Sequence, residues 1–454
     1  MKADWIEVEI AELCELNPRL KNKESISAEL EVQFLPMALV EEVANKIHLT
    51  ETRKFSEVQQ KNYTYFAEGD VLFAKVTPCM ENGKIAIAKG LKNQIGFGSS
   101  EFHVLRPSKA IHESFLFYFL VRSKFRNEAQ HEMTGAVGLR RVPKQFLENY
   151  HIPLPPLPEQ RAIVARIEEL FSELDHAVSN LKSAKAKLEI YRQAVLKKAF
   201  EGGFTEEFRS ENSLPEEWRV FKLEEIVDNL SQGWSPKCIN QASIDPNEWA
   251  VIKTSAIQHG KFIEEENKIL PKELVPRSQH EIKIGDILIT RAGPRERVGV
   301  CCEVKKVRPR LINCDKVYRI RLKKSVNLSF FMLKMNSAEF INKIESIKTG
   351  GNDSGVNLTQ NRLLDLEIEL PEIREQIQIV QEMESRLSVA DKLAETIQTN
   401  LQKSEALRQS ILKKAFEGSL LREVEVEACR KEADWEPAER LLERIKSEKS
   451  KVKK

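Results

Sequence analysis

Two short stretches of the 454-residue chain bring a carboxylate, a basic side chain and a hydroxyl together: Asp70-x4-Lys75 with Thr77, and Asp286-x4-Arg291 with Thr290. Arginine bonds guanine bidentately and lysine bonds guanine or phosphate, so such a set predicts reading of a nucleic acid. A plain ion pair along one strand is the competing reading. Around the second stretch charge is concentrated: residues 281–324 hold 13 Lys+Arg, with Arg295 and Arg297 among them, against 5 Asp+Glu. That excess predicts a polyanion-binding face, unless the basic residues simply face solvent. The equivalent stretch 69–92 is milder, with Lys75, Lys84, Lys89 and Lys92 against Asp70 and Glu81. Gly-rich loops, one from Thr134-Gly135 to Arg140-Arg141 and one from Thr349 to Gly355, either hold backbone amides against phosphate or are ordinary turns.

No catalytic constellation accompanies these residues. The Asn-Pro-Pro-aromatic motif of base amino-methylation is missing, since Asn17-Pro18-Arg19 and Asp245-Pro246-Asn247 lack the second proline and the aromatic. Gly83-Lys84 and Gly260-Lys261 are followed by Ile85 and Phe262, so neither is a phosphate loop. Glu266-Asn267-Lys268 is the E-x-K fragment of a nuclease site, a pattern that arises readily in an acid-rich stretch. The seven cysteines are never spaced C-x-x-C and the eight histidines show no metal-ligand spacing, so no metal site is expected and the thiols are expected to be reduced. The chain reads as a binder. Its 71 Lys+Arg balance 69 Asp+Glu, which speaks against simple coating of DNA, although a total averages over domains. Hydrophobic content of 41% and mean hydropathy of −0.41 suit a soluble globular protein, and with no signal-peptide core or apolar spanning run a cytoplasmic location is expected.

The elements that must carry these residues come twice. Leu196-Lys197-Lys198-Ala199-Phe200-Glu201-Gly202 recurs letter for letter from Leu412 to Gly418, an offset of 216. Glu159-Gln160 returns as Glu375-Gln376, Gly69-Asp70-Val71-Leu72 as Gly285-Asp286-Ile287-Leu288, and Pro155 as Pro371, all at that offset. Several matches at one offset mean duplication. In the first copy Asp70–Val76 and Gly83–Ala88 read as strands joined by the turn Thr77-Pro78-Cys79-Met80-Glu81-Asn82-Gly83. Ile111–Leu120 reads as a helix, matched by Ser329–Leu333.

Each copy closes in a long polar helix. The first begins after Pro155-Pro156-Leu157-Pro158, where Glu159 complements the positive N-terminus, and stops at Gly202-Gly203. Ile163, Ile167, Leu170, Leu174, Ala177, Leu181, Ala184, Leu188, Tyr191 and Val195 step by fours and threes, a coiled-coil seam. In the second helix Ile379, Met383, Ala390, Leu393, Ile397, Leu407 and Ile411 keep the phase, while Arg386, Asn400 and Ser404 fall on it. The alternative there is a local phase shift that turns Leu387 and Leu401 inward. The two seams are expected to pair with each other antiparallel, as a rod with a globular segment at either end. The expected class is α+β: domains at 1–155 and 204–371, helices at 156–203 and 372–420, and a charged, frayed C-terminal tail at 421–454.

Two unlike globular segments, each followed by a Glu-Gln entry and a helix ending Leu-Lys-Lys-Ala-Phe-Glu-Gly, resemble the DNA specificity subunit of type I restriction-modification systems. The run from Thr77 to Lys84, the loop Thr134 to Arg141 and the stretch Trp435 to Ile445 add to the likeness. The second copy departs from it in its entry, Pro371-Glu372-Ile373-Arg374-Glu375-Gln376, and in lacking the Arg140-Arg141 pair. The resemblance implies two target recognition domains that bind a bipartite, asymmetric site on double-stranded DNA, with the rod setting the gap. It implies two methyltransferase subunits and motor-nuclease subunits as partners, S-adenosylmethionine on the methyltransferase subunits and no catalysis by this chain. Candidate DNA contacts are then Lys75, Thr77, Asn82, Lys84, Thr134, Arg140, Arg141, Thr290, Arg291, Arg295 and Arg297. Candidate helix-pairing residues are Ile167, Leu170, Leu174, Leu181, Leu188, Ile379, Met383, Leu393, Ile397 and Leu407. A coiled-coil scaffold joining two protein-binding modules is the rival from another class, and a stand-alone methyltransferase or nuclease is disfavoured by the missing motifs.

Overall fold

Every position of the strand Val71–Ala74 is apolar and buried, which a strand covered on one face does not require. The computed structural model, which describes residues 4–136 and 138–452, gives the reason. Strands β1 (Cys14–Leu16), β2 (Val71–Ala74), β3 (Ile85–Ile87) and β4 (Phe102–Pro107) form an antiparallel sheet in the order β1-β4-β2-β3. Val71 and Phe73 point into a cluster with Phe115, Phe119 and Ile163. Leu72 and Ala74, with Val104 of β4, point the other way, to Leu35 and Phe66 of a second sheet. That second sheet orders its strands Glu51–Lys54, Glu31–Leu35, Ile95–Gly98, Thr64–Ala67 and contains one parallel pair.

The duplication repeats this plan. Strands β5 (Val227–Gln232), β6 (Ile287–Thr290), β7 (Cys301–Glu303) and β8 (Val317–Leu322) take the equivalent order β5-β8-β6-β7. Ile287 and Ile289 pack with Phe330 and Phe331, while Leu288 packs with Ile252, Leu311 and Ile312. The accompanying second sheet has three strands instead of four, so the two domains differ on that side. One electrostatic detail recurs almost atom for atom. Asp70, 1% exposed, accepts from the Arg106 guanidinium at 2.7 and 2.8 Å and from the Ala67 amide at 2.7 Å. Asp286, also 1% exposed, accepts from Arg321 at 2.9 Å and from the Lys283 amide at 2.8 Å. The competing reading, an ion pair along one strand, does not hold for these aspartates: the partner lies across the sheet, where it can satisfy a carboxylate withdrawn from water.

The long helices are α1 (Leu157–Phe200) and α2 (Ile373–Phe416). The Glu-Gln pair at each start does more than complement a dipole. Gln160 accepts from the His112 amide at 2.8 Å and donates to the carbonyls of Ala110 and Pro155 at 2.9 Å. Gln376 makes the corresponding bonds to the Asn327 amide and to Ser325 and Pro371. Buried Glu159 accepts from the Trp5 indole, and buried Glu375 from Thr205, Arg209 and Trp218. Each helix is thus pinned to its own domain by its first turn.

The chain divides into two units, Met1–Ser183 with Ile397–Lys454, and Ala184–Thr396. In the first, Ile163 and Ile167 share a core with Ile411, Leu412 and Phe416, and Arg408 pairs with Asp175. In the second, Ala199 shares a core with Ile379 and Met383, and Arg192 pairs with Asp391 at 2.6 Å. In both units the beginning of one helix lies against the end of the other, so the pairing is antiparallel.

Along α1, Ile167 and Leu188 are buried and Leu170, Leu174 and Leu181 half-buried, in keeping with the seam. Along α2 Ile379 and Met383 are buried and Ile397 half-buried, but Leu393 and Leu407 are 51% and 49% exposed. Those two assignments are corrected. Leu387 follows Met383 by four, and the less exposed positions then run through Ala390, Ala394, Ile397, Leu401, Ser404 and Arg408. The shift keeps the Arg386 guanidinium in water, where it bonds Glu382 and lies 4.4 Å over the Phe204 ring.

The stretch expected to be a frayed tail is corrected as well. It forms α3 (Glu423–Arg430) and α4 (Ala438–Val452), and Val426, Ala438, Leu441, Leu442 and Ile445 belong to the core of the first unit. Arg161 of α1 fixes the connection between them through Glu432 and Asp434. The terminal Lys453 and Lys454 lie outside the described residues, as does Val137 of the first Gly-rich loop. Among the described residues no helix is long and apolar enough to cross a membrane.

Candidate nucleic-acid interface

Lys75 and Arg291 occupy the same place in the two domains, just past the ends of β2 and β6. The Lys75 amide bonds the Glu101 carbonyl and its own carbonyl accepts from Val142; Arg291 does the same with Lys316 and Leu358. The Lys75 ammonium donates to the Ser100 carbonyl at 2.8 Å, and burial holds its pKa below that of a free lysine. The Arg291 guanidinium donates to the Asp315 carbonyl at 3.2 Å and lies 5.5 Å over the Tyr318 ring, while its Nε is buried without a partner. Both cations are half-buried and preorganised, and each retains donor capacity beyond its one carbonyl.

The Gly-rich loops are antiparallel ribbons beside these cations. Thr134–Ala136 pairs with Leu139–Arg141, and Val356–Asn357 pairs with Ala292–Gly293 while Thr349 bridges Asn357. Gly135 and Gly350 have φ of 128° and 144°, and a β-carbon at either would press on the backbone of the opposite arm. Thr134 is exposed, Arg140 is half-exposed, and Arg141 is locked in a two-pronged bond to Glu101 at 2.8 Å. On the second ribbon Arg295 is paired with Glu345 at 2.6 Å.

Several candidates turn inward. Thr290 is fully buried, donating to the Arg297 and Val300 carbonyls, and Arg297 donates to the carbonyls of Thr254 and Ile257 and to Gln258. Thr290 offers no surface to a base, and the half-buried Arg297 guanidinium is committed to backbone acceptors that would otherwise be orphaned. Thr77 bonds the Arg140 carbonyl, Asn82 bonds Glu42 at 2.9 Å, and Lys84 reaches the Met37 carbonyl at 3.3 Å. The run from Thr77 to Lys84 is thus knit into its own domain. The basic excess of residues 281–324 divides in the same way. Arg308, Arg310 and Arg319 bind carbonyls of the second domain and Arg321 binds Asp286, while Lys283, Lys305, Lys306, Lys316, Lys323 and Lys324 remain exposed.

Sequence reasoning missed a concavity of about 480 Å³ in the first domain, lined by Arg19, Lys23, Gln59, Lys61, Tyr63, Tyr65 and Lys75 among others. In the second domain Arg277 lies 4.5 Å over the Trp234 ring, next to Ser235, which donates to Asp315 at 2.5 Å. The available signal was aromatic residues interleaved with basic ones, as in Lys61-Asn62-Tyr63-Thr64-Tyr65. It is diluted because the cations sit on three separated segments.

Known proteins carry the same plan. The family model described as the type I restriction modification DNA specificity domain matches residues 2–182 and 215–403. The EcoEI specificity subunit of Escherichia coli is 30% identical, the alignment covering 90% of this chain and 82% of that one. The EcoKI specificity subunit of E. coli strain K12 is 28% identical over 83% of this chain and 82% of its own. Among solved structures, a chain of a type I R-M system superposes with a TM-score of 0.72 and the HsdS subunit from Thermoanaerobacter tengcongensis with 0.63, each 21% identical and covering 92% of this chain and 98% of its own. With both domains matched and the duplicated helices in place, the chain belongs to the family of type I restriction-modification DNA specificity subunits.

Proposed function

We propose that the chain reads a bipartite, asymmetric site on double-stranded DNA, one half-site per domain, and presents it to methyltransferase and motor-nuclease subunits that dock on it. The observation that carries this reading is the pair of equivalent cations, Lys75 and Arg291, each placed by the same backbone bonds beside a Gly-rich ribbon on domains that otherwise differ. One scaffold with two chemically different reading edges suits two different half-sites. Phosphate contacts position such domains and a few polar side chains specify bases.

In this reading the chain supplies recognition and no catalysis, and S-adenosylmethionine is held by the methyltransferase subunits. Methylome sequencing of the host with and without the gene tests it: loss of one bipartite modified motif is expected, and an unchanged methylome refutes it. The purified chain offered S-adenosylmethionine and DNA is expected to transfer no methyl group. Binding that discriminates no bipartite duplex at a stated salt concentration favours the protein scaffold instead.

A further inference from the structure

Three features of the first-domain concavity coincide. The first is uncompensated positive charge. The Arg19 and Lys23 side chains are exposed and have no hydrogen-bond or ion-pair partner among the described residues, and the Lys61 ammonium, also without such a partner among them, lies 6.0 Å from the Tyr63 ring. No carboxylate lines the concavity. Elsewhere in the domain Lys54 is paired with Glu29 and Lys92 with Glu31. The second is a ring held ready: Tyr63 packs edge-on to Phe34 at 4.9 Å and its hydroxyl accepts from Arg53 at 3.1 Å. The third is a free amide. The Gln59 side chain has no partner among the described residues, whereas the amide of neighbouring Asn17 is occupied by the Val104 N–H and His103.

We propose that this concavity is where the first domain grips and reads its half-site. Arg19, Lys23 and Lys61 take backbone phosphates, the Tyr63 ring packs against an exposed sugar or base face, and the Gln59 amide reads an adenine edge, whose donor and acceptor match a carboxamide. The inference rests on the DNA-recognition reading and adds the residues and the base.

The full-length chain, offered a pool of duplexes of randomised sequence and then titrated over a salt series, tests it. Arg19→Ala, Lys23→Ala and Lys61→Ala are each expected to weaken binding alike for every sequence and to lower the salt slope by about one. Tyr63→Ala is expected to weaken binding roughly 5- to 150-fold, with Tyr63→Phe retaining most of the affinity. Gln59→Ala is expected to relax an adenine preference at one position of one half-site, leaving the other half-site intact. Variants that keep the selected motif, the affinity and the salt slope of the parent overturn the assignment of this concavity and leave DNA recognition standing. A parent chain that selects no sequence overturns both. Thermal unfolding matched to the parent keeps a folding defect from counting as support.

Discussion

His103 shows how far a single side chain is committed by its surroundings. It is 6% exposed, its Nε2 lies 2.9 Å from the Val142 carbonyl and its Nδ1 3.3 Å from the Asn17 amide. The carbonyl can only accept, so Nε2 carries the proton and Nδ1 accepts, which is the neutral ring. Burial is the main cause holding its pKa below the ordinary 6.5; the Val142 bond opposes this, and the charges of Lys75 and Lys144 reinforce it. Because the folded-state pKa is depressed, the unfolded chain takes up this proton first as pH falls. The contribution to stability is complete above about pH 6.5 and is lost on acidification below it. Urea unfolding is therefore expected to show a steeper loss of stability from about pH 7 to about pH 5 in the parent than in His103→Gln; parallel slopes would refute this. A second prediction concerns Asp70. Asp70→Ala strands the Arg106 guanidinium and the Ala67 amide, and is expected to destabilise the first unit by about 2–3 kcal/mol. Denaturant titration that finds no change would show the pair to be dispensable.

At the scale of elements, α2 carries two kinds of leucine-like position that periodicity alone does not separate. Met383 is fully buried, so Met383→Ala is expected to cost about 2–5 kcal/mol, whereas Leu393→Ala is expected to stay within about 0.5 kcal/mol. Comparable losses in the two variants would restore the unshifted seam. The C-terminal helices make a sharper case. Leu441, Leu442 and Ile445 of α4 are buried with Val426 of α3 in the first-unit core. A chain ending before Ala438 is expected to expose that core, with faster hydrogen exchange around Phe115 and Ile163 and no change around Phe330. Identical exchange in the truncated chain would return α4 to the status of a tail. The strongly charged composition of residues 421–454 concealed this role, because a helix that buries one narrow stripe is polar in sum.

At the scale of the whole molecule the duplication is the governing fact, and each long helix runs unbroken for 44 residues. A heptad inserted in both helices is expected to lengthen the unread gap between half-sites by about 10 Å, close to three base pairs. An unchanged gap in the methylated motif would show that the helices do not set it. The offset of 216, the paired helices, the α+β domains and the place of Lys75 and Arg291 were all legible in the sequence, because repeats, heptads and strand ends are local signals. Residue types at those places were legible too, but not their partners. Asp70 finds Arg106 across the sheet, Thr290 and Arg297 turn inward to backbone carbonyls, and Arg19, Gln59 and Tyr63 meet in one concavity. Apart from the Thr290 bonds, which span 7 and 10 residues, each of these depends on segments tens of residues apart being brought within a few ångströms. Spacing along the chain carries no record of which polar group a buried carbonyl or carboxylate will claim, so that choice is made only when the core closes.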